Sequence, residues 1–326
     1  MRIAILSGGD SSEHLISVKS ADQVKHWLEK AGHTCYTVVI TGTDWSVREG
    51  NQQWQLDKNR FGFRNREGFV TFDFAWNMIH GTPGEDGRLQ GYLDIIGIPY
   101  NTSGLLSSAL TFNKYTCKTF LKQHQVLTPE ARLVRKGVET DLEEIAESVG
   151  IPCFVKPNNG GSSFGVVKVL KSENLQSAIE EALREDSEVI IERYIKGTEV
   201  TCGLMKTAEG FTVFPITEIV TNNEFFDYEA KYTRGKADEI TPARIDEEMT
   251  RKCQQIATMI YDLTFSSGII RVDFIIKGNQ LYFLELNSIP GMTAESIVPQ
   301  QVECAGTPME VILQRVIDNA ILQKSN

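Results

Sequence analysis

The chain reads as an α/β protein assembled from more than one α/β unit, and three observations predict this. Its 326 residues exceed one ordinary domain; at roughly 150 residues each, about two domains or three small ones fit. Strand-like and helix-like apolar spacings alternate through the first hundred residues. Finally, 41% apolar and 23% charged residues suit a packed core rather than a disordered chain.

Taken in order, Ile3–Leu6 is a first strand and Ser20–Ala31 a helix stopped by Gly32. Tyr36–Ile40 and Phe72–Ile79 are further strands. Leu89, Leu93 and Ile96 recur at helical spacing after Asp86-Gly87. The simplest assembly of this stretch is a parallel sheet with helices on its faces. A helix carrying Leu110, Lys114, Cys117 and Leu121 opens the next stretch. Another, marked by Leu142, Ile145 and Val149, follows and stops at Gly150. Strand Cys153–Lys156, a Gly/Ser-rich loop, strand Gly165–Leu170 and a helix through Leu175, Ile179 and Leu183 complete a small α+β unit. Strands Val189–Glu192, Glu199–Met205 and Phe211–Val220 come next. Then follow a long helix through Met249, Cys253, Ile256, Ile260 and Leu263, and a hairpin of Ile270–Ile276 with Leu281–Leu286. Three units are expected: 1–102, 103–191 and 192–326. The polar stretch 221–242 is long for an ordinary loop and is read as a lid, kept ordered by its aromatic residues.

Composition also excludes functions. With 33 Lys and Arg against 43 Asp and Glu, the net charge of -10 disfavours nucleic acid and anionic membrane as partners. No apolar run reaches the roughly 18 residues of a membrane helix. The opening apolar run is too short for a secretory signal core. The six dispersed cysteines form no C-x-x-C pair and read as reduced thiols in the core of a cytoplasmic protein.

Several stretches carry chemistry. Lys156-Pro-Asn-Asn-Gly-Gly161-Ser162-Ser163-Phe-Gly165 places a lysine at a strand end before a turn whose N–H groups suit an anion. It is not a Walker A loop, and an ordinary hairpin tip is the alternative. Ser7 through His14 follows the first strand, where open α/β sheets bind ligands, and offers Glu13 to an ammonium group; a plain strand-to-helix turn with a Ser cap is the alternative. His80-Gly-Thr-Pro-Gly-Glu-Asp-Gly follows another strand end; a plain structural histidine is the alternative. Glu192 and Glu199 flank a Gly turn and suit an amine and ribose hydroxyls, or solvent. Arg271 and Asp273 lie on one strand face opposite Ile270, Val272 and Phe274, and Glu285 and Asn287 share a face of the partner strand. Asp273, Glu285 and Asn287 are the oxygen donors that Mg²⁺ takes together with substrate phosphates. That grouping has a register condition. A two-residue turn at Gly278-Asn279 sets Asp273 opposite Leu284 and divides the acids between faces. A longer loop or a bulge reunites them, and this odd register is the expectation.

In this order the stretches resemble the D-alanine–D-alanine ligase family of ATP-grasp enzymes. The matches are Gly-Gly-Asp-Ser-Ser-Glu13-His, His80-Gly-Thr-Pro-Gly-Glu-Asp-Gly-Arg-Leu-Gln-Gly, Val155-Lys156-Pro through Ser163, and Asp227-Tyr-Glu-Ala-Lys231-Tyr232. They continue with Arg271-Val-Asp273 and with Glu285-Leu-Asn287 running to Pro290-Gly291-Met-Thr and Ser296. The resemblance implies an ATP-grasp fold of three α/β units, and ATP-driven joining of two D-alanines through an acyl phosphate for peptidoglycan precursors. It implies that Lys114, Lys156 and the loop of Gly161, Ser163 and Gly165 hold ATP phosphates, with Glu192 at the adenine, Glu199 at the ribose and Lys231 at the γ-phosphate. Two Mg²⁺ ions, or Mn²⁺ in their place, would sit on Asp273, Glu285 and Asn287. Glu13 would hold the first D-alanine's ammonium, with Ser162 and Tyr232 beside it and His80 near its carboxyl. Arg271 and the Gly291 N–H would serve the oxyanion, and Ser296, next to Ile297, the second substrate's carboxylate. A homodimer follows by analogy. Phe112-Asn113 replaces the family's usual Met-Asp, and Asn287-Ser288 its Asn-Thr. A D-serine- or D-lactate-using relative and a catalytically silent nucleotide-binding regulator remain as alternatives.

Overall fold

The computed structural model describes residues 1–50, 52–161, 164–221 and 237–325. Ser162, Ser163, Lys231 and Tyr232 lie outside these, as does 222–236 of the lid candidate.

The first unit runs β1 (Arg2–Gly8), α1 (His14–Lys30), β2 (Thr34–Thr41), β3 (Asp44–Glu49), β4 (Gln52–Gln55), β5 (Gly62–Arg64), β6 (Phe69–Thr71), β7 (Phe74–Asn77) and α2 (Arg88–Ile95). Its main sheet has the order β4-β3-β2-β1-β7, with β1 parallel to both β2 and β7. The expectation of a purely parallel sheet fails at one edge. Thr41 pairs with Asp44 across only Gly42 and Thr43, so β3 returns antiparallel, and β4 follows it; a parallel return needs a long crossover.

The second unit comprises α3 (Leu105–Phe112), α4 (Lys114–Gln123), β8 (Ala131–Arg135), α5 (Leu142–Val149), β9 (Cys153–Pro157), β10 (Val167–Val169), α6 (Leu175–Ala182) and β11 (Glu188–Arg193). The single helix expected across 110–121 is two helices. Asn113 between them is extended, and its side chain accepts from the Thr116 N–H. That is an N-cap, which starts α4 afresh. The four strands form an antiparallel sheet, β10-β9-β11-β8.

The remainder contains β12 (Thr198–Thr207), β13 (Gly210–Val213), β14 (Thr217–Thr221), β15 (Ala237–Ile240), α7 (Glu247–Leu263), β16 (Ile270–Lys277), β17 (Gln280–Asn287), α8 (Ile297–Cys304) and α9 (Met309–Ser325). The strand expected across 211–220 is divided in two around Pro215, which has no N–H to give a ladder. The sheet order is β15-β14-β12-β16-β17, with β13 also on β12. One face carries Val200, Cys202, Leu204, Val272 and Phe274 into a core closed by Met249, Cys253, Ala257 and Ile260 of α7. That leaves the other face of the same strands for polar side chains.

A separate core joins the two ends of the chain. Ile3, Ile5, Val24 and Leu28 pack with Ile312, Leu313, Val316 and Ile317 of α9. Five cysteines are buried free thiols as expected, whereas Cys304 is exposed at the end of α8. Among the described residues, no helix is long and apolar enough to cross a membrane.

Candidate active site

The hairpin β16–β17 decides whether the acids can cooperate. Lys277 pairs with Gln280, so the turn has two residues, Gly278 and Asn279. Continued without interruption, that register would separate Asp273 from Glu285. A bulge intervenes: Phe274 pairs with Phe283, but Asp273 pairs with Glu285, leaving Leu284 as the extra residue. The odd register is therefore present, produced by a bulge rather than by a longer turn. Arg271 pairs with Asn287 two residues further along, so all four polar side chains share the face opposite the α7 core.

These side chains are already engaged with one another. Arg271 grips Asp273 bidentately, Nε to Oδ1 at 2.9 Å and Nη2 to Oδ2 at 2.8 Å. Asn287 Nδ2 donates to Asp273 Oδ2 at 3.0 Å, and the Thr201 hydroxyl of β12 also donates to Asp273. Burial opposes the Arg271 charge, but Asp273, with help from Glu285, outweighs it and raises the guanidinium's pKa. The donor chemistry fits a hard cation: two carboxylates and an amide oxygen gathered on one sheet face. Among the described residues, no three His, Cys, Asp or Glu side chains form a metal cluster.

Facing this surface is the second unit's antiparallel sheet. Between them lies a cleft of about 400 Å³, lined from one side by Lys114, Lys156 and Glu192 and from the other by Glu199, Asp273 and Glu285. Gly161, Arg271 and Ile297 also line it, and Phe154, Ile195 and Ile275 give it an apolar portion suited to a flat ring. Lys156, on β9, donates to Glu192 Oε2 of the neighbouring strand β11 at 2.7 Å. Lys114, the first residue of α4, donates to the Gly160 carbonyl and has its Nζ 3.8 Å from Glu285 Oε2. Burial lowers the Lys114 pKa against the pull of Glu285. At Lys156 the carboxylates of Glu192 and Glu285 overcome burial and raise it.

Sequence reasoning missed Lys118. Its Nζ lies 2.5 Å from Glu192 Oε1, with side-chain exposures of 4% and 3% for the pair. Two lysines thus hold Glu192 below the usual carboxylate range despite its burial. The available signal was spacing: Lys118 sits four residues after Lys114 on a helix face that otherwise buries Cys117 and Leu121.

The remaining candidates gather at the sheet ends nearer the first unit. Glu13 directly precedes α1 and is buried. A Cβ added to Gly161 would stand 2.6 Å from Glu13 Oε2, so the glycine loop rests directly against that carboxylate. His80 follows β7; burial lowers its pKa, Glu13 opposing and Arg271 assisting. Among the described residues its buried Nε2 has no hydrogen-bond partner. Gly291 lies against Ser296: a Cβ added there would stand 3.0 Å from Ser296 Oγ, which accepts from the Thr293 N–H at 3.0 Å. Ser296 occupies the N-cap position of α8. Gly165 has a left-handed φ of 66° and packs on Pro157 and Glu185, beside the cleft rather than on its wall. The arrangement also contains an acid to which sequence reasoning gave no role, Glu85. It accepts from the Gly81 N–H at 2.7 Å, and burial followed by the charge of Glu13 pushes its carboxyl up to about 8. Its only signal was its place within the glycine-rich stretch after His80.

Two antiparallel sheets facing each other across a lysine- and carboxylate-lined cleft, joined to an N-terminal α/β unit, define the ATP-grasp class. The family model "D-ala D-ala ligase N-terminus" matches residues 2–103, and "D-ala D-ala ligase C-terminus" matches residues 121–318. The chain belongs to the D-alanine–D-alanine ligase family. It is 49% identical to the D-alanine–D-alanine ligase of Bacteroides fragilis over 319 residues, covering 97% of this chain and 98% of that protein. The corresponding enzyme of Phocaeicola vulgatus is 47% identical, with the same coverage. Among solved structures, D-alanyl-alanine synthetase A from Vibrio cholerae superposes with a TM-score of 0.88 at 27% identity, covering 98% of each chain. The VanG D-Ala:D-Ser ligase from Enterococcus faecalis gives 0.87 at 30% identity, covering 98% of this chain and 99% of that one.

Proposed function

We propose that the chain joins two D-alanines to D-alanyl-D-alanine at the expense of ATP, releasing ADP and phosphate, for peptidoglycan precursor synthesis. It is an ATP-dependent ligase, and the observation that carries the reading is the cleft in which two lysines face two strand-borne carboxylates. A Bacillus anthracis ligase of this fold has been solved in complex with ATP, with a TM-score of 0.80 at 28% identity and coverage of 100% of this chain and 99% of that one. Here Lys114, Lys156, Gly161, Ser163 and Lys231 bind the phosphates, Gly165 turns the loop beside them, Glu192 meets the adenine and Glu199 the ribose. Asp273, Glu285 and Asn287 would hold two Mg²⁺ ions, which supply charge neutralisation to phosphoryl transfer.

Glu13 receives the first D-alanine's ammonium, beside Ser162 and Tyr232, and a neutral His80 lies by its carboxyl. That carboxylate takes the γ-phosphoryl group and becomes an acyl phosphate. The second D-alanine, held through its carboxylate by Ser296 beside Ile297, attacks with its amine. Arg271 and the Gly291 N–H stabilise the resulting oxyanion. Expulsion of phosphate leaves the peptide. The three units are 1–102, 103–191 and 192–326, with 221–242 as the lid that keeps water from the acyl phosphate. A homodimer working in the cytoplasm, where ATP is made available, completes the proposal.

The names of the relatives at 49% and 47% identity favour D-alanine as second substrate over D-serine or D-lactate. The test is incubation with ATP, Mg²⁺ and D-alanine, with D-serine and D-lactate as competitors. Phosphate release that requires D-alanine, with D-alanyl-D-alanine identified by mass, supports the proposal. Tight ATP binding without phosphate release overturns it in favour of a regulator.

A further inference from the structure

The buried lysine that sequence reasoning overlooked touches two structures that must cooperate. Lys118 Nζ approaches Glu192 Oε1 to 2.5 Å. The same atom donates to the carbonyl of Leu284, the extra residue of the β17 bulge, and lies 3.5 Å from the carbonyl of Phe283. It also stands 5.4 Å from the centre of the Phe283 ring. A bulge takes one residue out of the ladder, and a buried carbonyl so released needs a donor. Without the bulge, the two-residue turn would place Leu284 opposite Asp273 and turn Glu285 to the other face.

We infer that Lys118 is a positioning residue that fixes the bulge, and through it the shared face of Asp273 and Glu285, while orienting Glu192 on the facing wall of the cleft. Lys118 needs no contact with nucleotide for this. Its ammonium serves a carboxylate and the bulge carbonyls at once, so the two facing walls of the cleft are tied by one atom. Glu192 alone does not require a second lysine, since Lys156 already donates to it at 2.7 Å. The contacts to Phe283 and Leu284 are what the second lysine adds.

The inference rests on the cleft being the nucleotide site, and the test separates the two. Wild-type protein and the variants Lys118→Met and Lys118→Arg are compared in three measurements: Mn²⁺ binding followed by electron paramagnetic resonance with a non-hydrolysable ATP analogue, steady-state KM for ATP, and KM for D-alanine. Lys118→Met is expected to raise the Mn²⁺ half-saturation and the ATP KM by about 10–100-fold, the usual range for residues that orient metal ligands. The D-alanine KM should hold within about twofold. Lys118→Arg keeps the charge and donors and is expected to recover Mn²⁺ binding to within about fivefold of wild type. If the Lys118→Met protein does not fold, the arginine variant decides: recovery supports the role, and a loss of about tenfold or more overturns it. Unchanged Mn²⁺ binding in a folded Lys118→Met protein also overturns it, as does an equal rise in both KM values tracking a fall in Tm. Wild-type protein that fails to bind Mn²⁺ with the nucleotide analogue would break the proposed function instead.

Discussion

Buried Glu192 and part-buried Glu85 are carboxyl groups of one molecule whose surroundings drive them in opposite directions. Glu192 sits between Lys118 and Lys156 and is held below the usual carboxylate range. Glu85 faces the carboxylate of Glu13, and burial with that charge pushes it up to about 8. Burial penalises both charges, so the neighbours decide the protonation state. The Glu192 end keeps an anion charged among cations. At the other, burial and the neighbouring Glu13 push Glu85 toward its protonated form.

Arg271 stands where these regions meet, gripping Asp273 while its charge reaches His80. Arg271→Ala is expected to lower turnover by about 10²–10³-fold, the usual loss of one oxyanion donor, far more than it weakens ATP binding. Steady-state kinetics with a separate ATP-binding measurement would show it, and near-normal turnover would remove the role. Glu192→Ala strands two buried ammonium groups. It should cost about 3–5 kcal/mol, read as the urea unfolding free energy, because a broken buried pair leaves uncompensated charge.

Glu85 supplies the opposite sign. Its pKa in the folded protein is raised above the unfolded value, so the folded state binds the extra proton. The stabilisation is full below about pH 4.5, the ordinary carboxyl value, and is lost as pH rises through about 8. Stability should fall across that window by about 5 kcal/mol, and Glu85→Gln should flatten the profile. Equal slopes in wild type and variant would erase the contrast with Glu192. The smallest effect is expected at Gly161→Ala. Its Cβ would stand 2.6 Å from Glu13 Oε2 and displace the carboxylate. The D-alanine KM should rise about tenfold, a loss of ~1.4 kcal/mol, with a smaller change for ATP.

The sequence makes the polar face of the hairpin legible, because alternation places Arg271 and Asp273 opposite Val272 and Phe274. It hides the bulge. One inserted residue at Leu284 reverses the grouping, and no local signal distinguishes that residue from its neighbours. Strand β1 was legible from an unbroken apolar run, whereas β3 and β4 carry polar, largely exposed residues that resemble a loop. The break at Asn113 needed recognition of a cap inside an otherwise continuous helical pattern. Spacing alone does not mark Lys118 as a lysine that packing encloses, with a side chain only 4% exposed. The cap is a local contact, but the enclosure of Lys118 by Glu192 and Leu284 is a long-range one, which short-range spacing does not encode. The placement of Ser162, Ser163, Lys231 and Tyr232 lies outside the described residues.

The packing of α9 against β1 and α1 has a consequence for biogenesis. The sheet of β1 is completed by residues made much later, since Ile3 and Ile5 share a core with Ile312 and Ile317. On the ribosome that sheet must therefore wait, one side bare, until α9 has emerged. Its exposed apolar side is then a natural place for a chaperone to hold the nascent chain.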